Sequence, residues 1–441
     1  MSIPSWRALK KRHRSPSQHD RSRLRWRPTL EVLEDRTLLS TAIPLTSQSW
    51  TPIGPADISN VGTSGRITGV AGDPMDPNTI FISAAGGGVW KTSDAGQSWT
   101  PLTDTQATDF MGSVGVAPSN HNIIYAGTGE ANYSIDSFYG RGLLVSSDAG
   151  ATWQLKGNSI FDRSAISKVA IDPFNPNIVF LAVSNQAANG GGANGVWKTT
   201  DGGNTWSSSL GGEATDVIVD PTNSQIVYAA LGYPFFGSGS NGIYKSTDGG
   251  STWMKLGGRL PSGPGPGGQQ EIGRISLAIS QTNSPQTLYT VISDSGAFDD
   301  FSINPPDNRF GTLFKFMKST DGGLTWSDQT FGMPQVLGGQ NFFRGKPGQG
   351  WYDIAVAVDP TNANVVYVGG QNSSAAGIVE STDGGNTWSV ITGGTHTDIH
   401  ALGFDANGKL LNGNDGGIYR LDNPKPSALK WADLNSNLQI T

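Results

Sequence analysis

The sequence predicts an all-β fold, a seven-bladed β-propeller built from four-stranded antiparallel blades. Three observations predict it: a short string ending in Trp recurs six times, a second element recurs in phase with it, and no helical period separates the copies. The 60 Gly and 25 Pro residues and the low charged fraction of 15% exclude a helical bundle or a coiled coil.

The recurring string reads Ser/Thr-x-Asp-x-Gly-x-Ser/Thr-Trp. Its Asp can accept backbone N–H groups of its own turn, its Gly supplies a positive φ, and its Trp buries an apolar ring beside the hairpin. These are roles in folding, so we expect the Asp and Trp residues to be structural and not catalytic. The six pairs are Asp94 and Trp99, Asp148 and Trp153, Asp201 and Trp206, Asp248 and Trp253, Asp321 and Trp326, and Asp383 and Trp388. A seventh, degenerate unit covers residues 414–431.

Each unit is predicted to contain four short strands. The first is apolar and ends near an Asp-Pro pair such as Asp73-Pro74, and a β-branched run forms the second. The third begins at a Gly and enters the Asp turn, and the fourth begins at the Trp. Residues 50–53 read as one extra fourth strand, which we expect to complete the last blade and hide the open sheet edges.

The chain divides into residues 1–45, a disordered basic leader, and residues 46–441, the propeller. Residues 1–40 contain ten Lys and Arg against four acidic residues, whereas the remainder has a net charge of −12. The acidic body argues against a nucleic-acid partner, and no apolar run is long enough to span a membrane. Residues 30–40, read as Leu-Glu-Val-Leu-Glu-Asp-Arg-Thr-Leu-Leu-Ser, resemble the N-terminal segment of large exported planctomycete proteins, which implies an extracellular or cell-surface location.

The six strings resemble Asp-box, or BNR, repeats. Such repeats are shared by sialidases, xyloglucan-cleaving endoglucanases, the sortilin (Vps10) luminal domain and photosystem assembly propellers. The chain as a whole, including residues 395–402, is most similar to bacterial sortilin-like or xyloglucanase-like secreted propellers. The resemblance implies the fold but leaves the function open, because the same blades host unrelated activities.

The strand order predicts that the long loops gather at one end of the propeller, opposite the Asp turns. Aromatic and charged side chains in these loops suit stacking on a sugar ring or anchoring a peptide. The candidate binding residues are Tyr133, Tyr139, Tyr233, Phe235, Phe343, Arg344, Trp351 and Tyr352. The alternative is that these side chains pack on one another and cap the end. The first hypothesis is therefore an extracellular binding or scaffolding protein that holds a glycan or peptide.

The second hypothesis is a glycoside hydrolase acting on a β-glucan such as xyloglucan. Candidate carboxyl groups are Glu130, Asp136, Asp299, Asp300 and Asp398, but no spacing selects a pair. The xyloglucanase resemblance implies a catalytic Asp shortly before a Gly-Gly segment in the first blade, where this chain has Ala84 or Ala85. It also implies a second catalytic Asp in a second propeller that these residues do not include, and residues 434–441 resemble the junction leading into one.

The sequence predicts no resident cofactor and does not indicate the oligomeric state. His396 and His400 flank Asp398 in a pattern that could bind a metal, although such residues are more often satisfied locally. The acidic residues of 294–307 could hold Ca²⁺, yet they lack the spacing of a known calcium loop. Arg66 matches the first arginine of a sialidase triad only weakly.

Overall fold

The computed structural model describes residues 63–185, 191–233, 238–261, 272–282, 285–295, 311–334, 348–371 and 377–440. The predicted leader and the predicted extra strand at residues 50–53 lie outside these ranges. The strands form seven sheets of four consecutive antiparallel strands, which confirms the predicted fold class.

The first four blades follow one another along the chain. Blade one contains β1 (Ile67–Gly72), β2 (Ile80–Ala84), β3 (Gly88–Thr92) and β4 (Thr100–Pro101). Blade two contains β5 (Met111–Val116), β6 (Ile124–Thr128), β7 (Leu143–Ser146) and β8 (Gln154–Lys156), followed by the short helix α1 (Asn158–Phe161). Blade three contains β9 (Ala165–Ile171), β10 (Val179–Ser184), β11 (Gly195–Thr199) and β12 (Ser207–Leu210). Blade four contains β13 (Ala214–Asp220), β14 (Asn223–Leu231), β15 (Gly242–Ser246) and β16 (Met254–Lys255).

The remaining three blades repeat the same order. Blade five contains β17 (Ile272–Ile279), β18 (Leu288–Asp294), β19 (Leu313–Ser319) and β20 (Ser327–Asp328). Blade six contains β21 (Ala355–Val358), β22 (Val366–Gly369), β23 (Ile378–Ser381) and β24 (Ser389–Val390). Blade seven contains β25 (Ile399–Phe404), β26 (Leu410–Asn414), β27 (Gly417–Asn423) and β28 (Lys430–Asp433), with a 3₁₀ turn at Pro426–Ala428. Neither helical segment of the described residues is long and apolar enough to cross a membrane.

The hydrophobic core lies between neighbouring blades. Seven clusters of buried side chains fill the seven interfaces around the ring, each drawing residues from two adjacent blades. Between blades one and two, for example, Phe81 and Val89 contact Met111, Val114 and Ile124. Each sheet is therefore buried on both faces, which explains why the second strands read as nearly continuous apolar runs.

The six Asp turns share one hydrogen-bond pattern. In blade one, the Thr92 hydroxyl donates to Asp94 Oδ1 over 2.7 Å and accepts the Gly96 N–H over 2.9 Å. Ser98 donates both its N–H and its hydroxyl to the Asp94 carboxylate, at 2.9 and 2.6 Å. The hydrogen bonds from Ser98 and Thr92 lower the pKa of Asp94 to about 2. The bonds of these carboxylates are thus used within their own turns.

A lysine of the third strand connects successive blades. Lys245 Nζ lies 5.3 Å from the centre of the Tyr228 ring and donates to the Gly322 carbonyl in the Asp turn of the next blade, over 2.7 Å. Lys198 makes the same contacts with the Phe180 ring and the Gly249 carbonyl. The recurrence of Lys after the aromatic residue of β3, β11 and β15 therefore has a physical basis in contacts between blades.

The ring is closed by a segment that follows the last blade. Blade seven takes its fourth strand from Lys430–Asp433 and so has four strands of its own without residues 50–53. Beyond it, Leu434, Leu438 and Ile440 are buried against Ile80, Ile82, Trp90 and Trp99 of blade one. The Asn437 side chain also accepts the Trp99 N–H over 2.7 Å and donates to the Trp99 carbonyl over 3.0 Å. These residues hold the first and last blades together.

The first strands carry an irregularity that directs side chains toward the propeller axis. In six blades the register between the first two strands shifts near the start of the first strand, which is a β-bulge, and in blade four it shifts again between Val219 and Asp220. The residues at these bulges line an axial cavity of about 80 Å³, and they are Thr68, Gly112, Ser167, Thr215, Arg274 and His400. Four of the six are small, whereas Arg274 and His400 are long enough to reach the loop-rich end.

Candidate functional site

A cavity of about 710 Å³ opens at the end of the propeller opposite the Asp turns, where the sequence predicts the long loops to gather. It is lined by connections from three blades that are adjacent around the ring: the segment before β1 and the β2–β3 loop, the β6–β7 loop, and the β26–β27 turn. The lining residues of the described chain are Thr63, Ser64, Gly65, Arg66, Ala85, Gly86, Phe110, Glu130, Asp136, Phe138 and Asp415. Its size is that of a ligand pocket.

Arg66 forms the centre of this cavity because it contacts three carboxylates, two from the β6–β7 loop of blade two and one from blade seven. Its Nη1 lies 2.9 Å from Glu130 Oε1, its Nη2 lies 3.2 Å from Asp136 Oδ2, and its Nε lies 3.1 Å from Asp415 Oδ1. Burial alone would lower the pKa of Arg66, but the charges of Glu130 and Asp415 outweigh it, so the pKa is raised. The guanidinium therefore carries its charge at every pH at which the protein functions.

Asp415 is held by two further groups besides Arg66. His400 Nε2 lies 2.6 Å from Asp415 Oδ1, and the Tyr352 hydroxyl donates to Oδ2 over 3.1 Å. Partial burial opposes ionisation, but the hydrogen bond and charge of His400, together with Arg66, lower the pKa of Asp415 to about 2. Asp415 is ionised at neutral pH.

Two other carboxyl groups beside Asp415 have the opposite shift. Burial raises the pKa of Asp398, and the charge of Asp415 adds to this, although His396 and His400 oppose it. Asp353 is completely buried, and its pKa is raised well above the usual range by burial and by the charges of Asp398 and Asp415. Neighbouring carboxyl groups whose pKa values are driven apart are a typical arrangement for acid and base chemistry.

A buried polar layer under the cavity ties these groups to other blades. Arg274 donates to the Tyr352 carbonyl over 2.6 Å and to Asn132 Oδ1 over 3.2 Å. Asn132 in turn donates to Glu130 Oε1 over 2.9 Å. Through these contacts the first strand of blade five is linked to the Asn132 side chain of blade two and to the backbone before blade six, so Glu130 is held in place from below.

The described residues include most of the sequence-predicted candidates. Glu130 and Asp136 line the cavity, and Asp398 lies next to Asp415, whose N–H donates to the Asp398 carbonyl over 3.2 Å. Tyr133 and Tyr352 are buried, whereas Tyr139, Tyr233 and Trp351 are half-buried. The other candidates, Phe235, Asp299, Asp300, Phe343 and Arg344, lie outside the described residues.

The two histidines contact different carboxylates. His396 Nδ1 lies 3.2 Å from Asp398 Oδ2, while His400 is directed to Asp415 and Asp353. Among the residues described, no three His, Cys, Asp or Glu side chains are arranged to hold a metal ion. Most of the acidic loop at 294–307 lies outside those residues.

Sequence reasoning did not select the residues at the centre of the site. It treated Arg66 as a weak sialidase match and Asp415 as part of a degenerate repeat, and it did not consider Arg274 or Asp353. One signal could have found Arg274: at the bulge position of the first strand, four of the six units that have a bulge carry a small residue, so a large charged residue there stands out. His400 occupies the equivalent position in the last unit.

Curated relatives of this chain are xyloglucanases. The xyloglucanase of Hypocrea jecorina is 30% identical over 176 residues, which is 37% of this chain and 20% of that protein. A xyloglucanase from Paenibacillus is 26% identical over 180 residues, 38% of this chain and 16% of that protein. The matched region thus spans a fifth or less of the length of these two relatives. No protein-family model matches the chain.

The solved structures agree with the fold. The GH74 enzyme of Niastella koreensis superposes with a TM-score of 0.61 at 22% identity, covering 85% of this chain and 55% of that one. This similarity supports the propeller fold.

Proposed function

We propose that this chain is a glycoside hydrolase that acts on a β-glucan such as xyloglucan at the loop-rich end of the propeller. The observation that carries the proposal is the pairing of Asp415, whose pKa is lowered to about 2, with Asp398, whose pKa is raised. The similarity to xyloglucanases in sequence supports the substrate class. The proposal includes an extracellular or cell-surface location, because a polysaccharide of this kind is found outside the cell.

The two carboxyl groups would have different roles in the reaction. Glycoside hydrolysis uses one protonated carboxyl group to give a proton to the leaving oxygen and one carboxylate as base or nucleophile. Asp398, with its raised pKa, suits the first role, and Asp415 suits the second because Arg66, His400 and Tyr352 stabilise its charge. These carboxyl groups are not the Asp that the xyloglucanase resemblance implies, since that place is taken by Ala84 or Ala85.

The test is release of reducing sugar from xyloglucan and from mixed β-glucan by the full chain. We expect Asp398→Asn and Asp415→Asn each to lower the rate about 100-fold or more, which is typical of losing a general acid or base. Asp104→Asn, an exposed carboxylate outside the cavity lining, is the matched control and should leave the rate unchanged. Thermal melting of each variant checks folding. Activity that survives in both site variants, or no release by the unsubstituted chain, would refute the proposal.

A second candidate function, glycan binding without cleavage, is favoured by one observation. Ala85, at the place where the family resemblance implies a catalytic Asp, lines the cavity. If the chain binds glycan without cleaving it, xyloglucan in a native gel should retard the chain, and the chain should release no reducing sugar from xyloglucan. Retardation together with sugar release supports the hydrolase instead.

A further inference from the structure

The cavity around Arg66 has an unbalanced charge. Among the described residues that line it, Arg66 is the one cation, whereas Glu130, Asp136 and Asp415 are three carboxylates. Their formal balance is therefore −2. Of the three carboxylates, Asp136 contributes most to the surface that contacts a ligand, because 56% of its side chain is exposed.

Two of these carboxylates, Asp136 and Asp415, keep their charge under ordinary conditions. Partial burial raises the pKa of Asp136, but hydrogen bonds from Ser134 and Arg66 outweigh it and the pKa is lowered. Asp415 is ionised for the reasons given above. Two of the three carboxylates thus remain negative well below neutral pH.

Arg66 does not offset this by recruiting a ligand anion. Each of its three nitrogen atoms already contacts a carboxylate, at 2.9, 3.1 and 3.2 Å. An incoming carboxylate or sulfate would approach a guanidinium whose charge is already balanced and would meet the negative charges of these partners. The charged groups of the cavity therefore favour a ligand that brings hydrogen-bond donors.

An apolar face stands beside the acceptors. Phe110 and Phe138 stack with their ring centres 4.6 Å apart, both line the cavity, and Phe138 is 41% exposed. A flat aromatic surface next to acceptor groups fits a sugar ring, which has an apolar face of C–H groups and a rim of hydroxyl donors. The same surface and charge also favour an ammonium group.

We propose that this cavity selects saccharides by charge: it binds a β-linked sugar that carries an ammonium group most tightly, accepts the neutral sugar, and rejects the sugar that carries a carboxylate. Asp136 is the specificity-determining residue. The inference rests on the proposed function for the location of the site and goes beyond it in naming which sugars the site distinguishes.

The test is calorimetric titration of the full chain with three β-1,4-linked tetrasaccharides: cellotetraose, its glucosamine counterpart and its uronic-acid counterpart. At about pH 5.5 and low salt, where the amines are protonated, we expect the glucosamine oligomer to bind about 3- to 10-fold more tightly than cellotetraose. The uronic-acid oligomer should bind at least about 10-fold more weakly. In 1 M NaCl the differences should shrink, because screening acts within about 3 Å.

Asp136→Asn should remove most of the preference for the ammonium sugar, measured as the ratio of the glucosamine-oligomer affinity to the cellotetraose affinity of the same variant. Asp104→Asn, which removes one exposed charge outside the cavity lining, should keep the full preference. Equal affinities for the three oligomers, tighter binding of the uronic-acid oligomer, an unchanged preference in Asp136→Asn, or no binding of any oligomer would each overturn the inference. A chain that shows the preference but releases no sugar from xyloglucan loses only the hydrolase proposal, and a chain that releases sugar without the preference loses only this one.

Discussion

Leu438→Ala tests how the propeller ring is closed. Leu438 is completely buried and packs with Leu434 and Ile440 against Trp90 and Trp99 of the first blade. The substitution removes three carbon atoms from the interface, which costs about 2.4 kcal/mol at about 0.8 kcal/mol per group. The cavity left behind adds to this loss, so we expect the free energy of unfolding to fall by about 3 kcal/mol.

The assay is urea unfolding followed by Trp fluorescence, with the free energy obtained by linear extrapolation. Leu324→Ala is the control, because Leu324 is 64% exposed and its loss should cost less than about 0.5 kcal/mol. A loss below about 1 kcal/mol for Leu438→Ala would refute closure by the segment after the last blade. In that case a large loss for Trp50→Ala would favour closure by the predicted strand at residues 50–53.

Three further predictions concern the rest of the ring. The pKa of Asp415 is lowered from 3.8 to about 2 in the folded protein. The ionised carboxylate therefore contributes about 2 kcal/mol of stability, which is present above pH 4 and lost as the pH falls through 2. In thermal melts between pH 2 and 5, Asp415→Asn should reduce the loss of stability with falling pH by that amount. Lys245→Met should lower the free energy of unfolding by about 1 kcal/mol, because it removes a hydrogen bond to blade five and a cation–π contact within blade four. An unchanged urea midpoint would count against these contacts. In thermal melts, Gly96→Ala should destabilise the protein more than Gly202→Ala. Both glycines have a positive φ, but only the new Cβ at Gly96 would lie 2.7 Å from Leu434. Equal losses of stability would contradict the tight contact.

The repeated string made the fold predictable. Six copies with one pattern of Asp, Gly and Trp specify six similar turns, and their hydrogen bonds are local, within four residues of each Asp. Local interactions of this kind join residues that are close in the sequence, so a short sequence motif is enough to predict them. Closure was harder to predict, because it depends on packing of Leu434, Leu438 and Ile440 against residues more than 300 positions earlier.

The candidate site was only partly predictable for the same reason. Glu130, Asp136 and Asp398 were selected as carboxyl groups in loops at one end, yet their spacing could not show which partners they have. Arg274 and His400 are directed toward this end by the bulges of their strands. A bulge has no distinctive sequence motif, so the sequence did not predict this orientation.

The sequence by itself determined the number of blades and the strand order within each blade, since these depend on periodic local patterns. Only the tertiary structure decided that Arg66 meets Glu130, 64 residues away, and Asp415, 349 residues away. The physical reason is that a closed ring brings its first and last blades into contact, so charges that are distant along the chain become neighbours and set one another's ionisation.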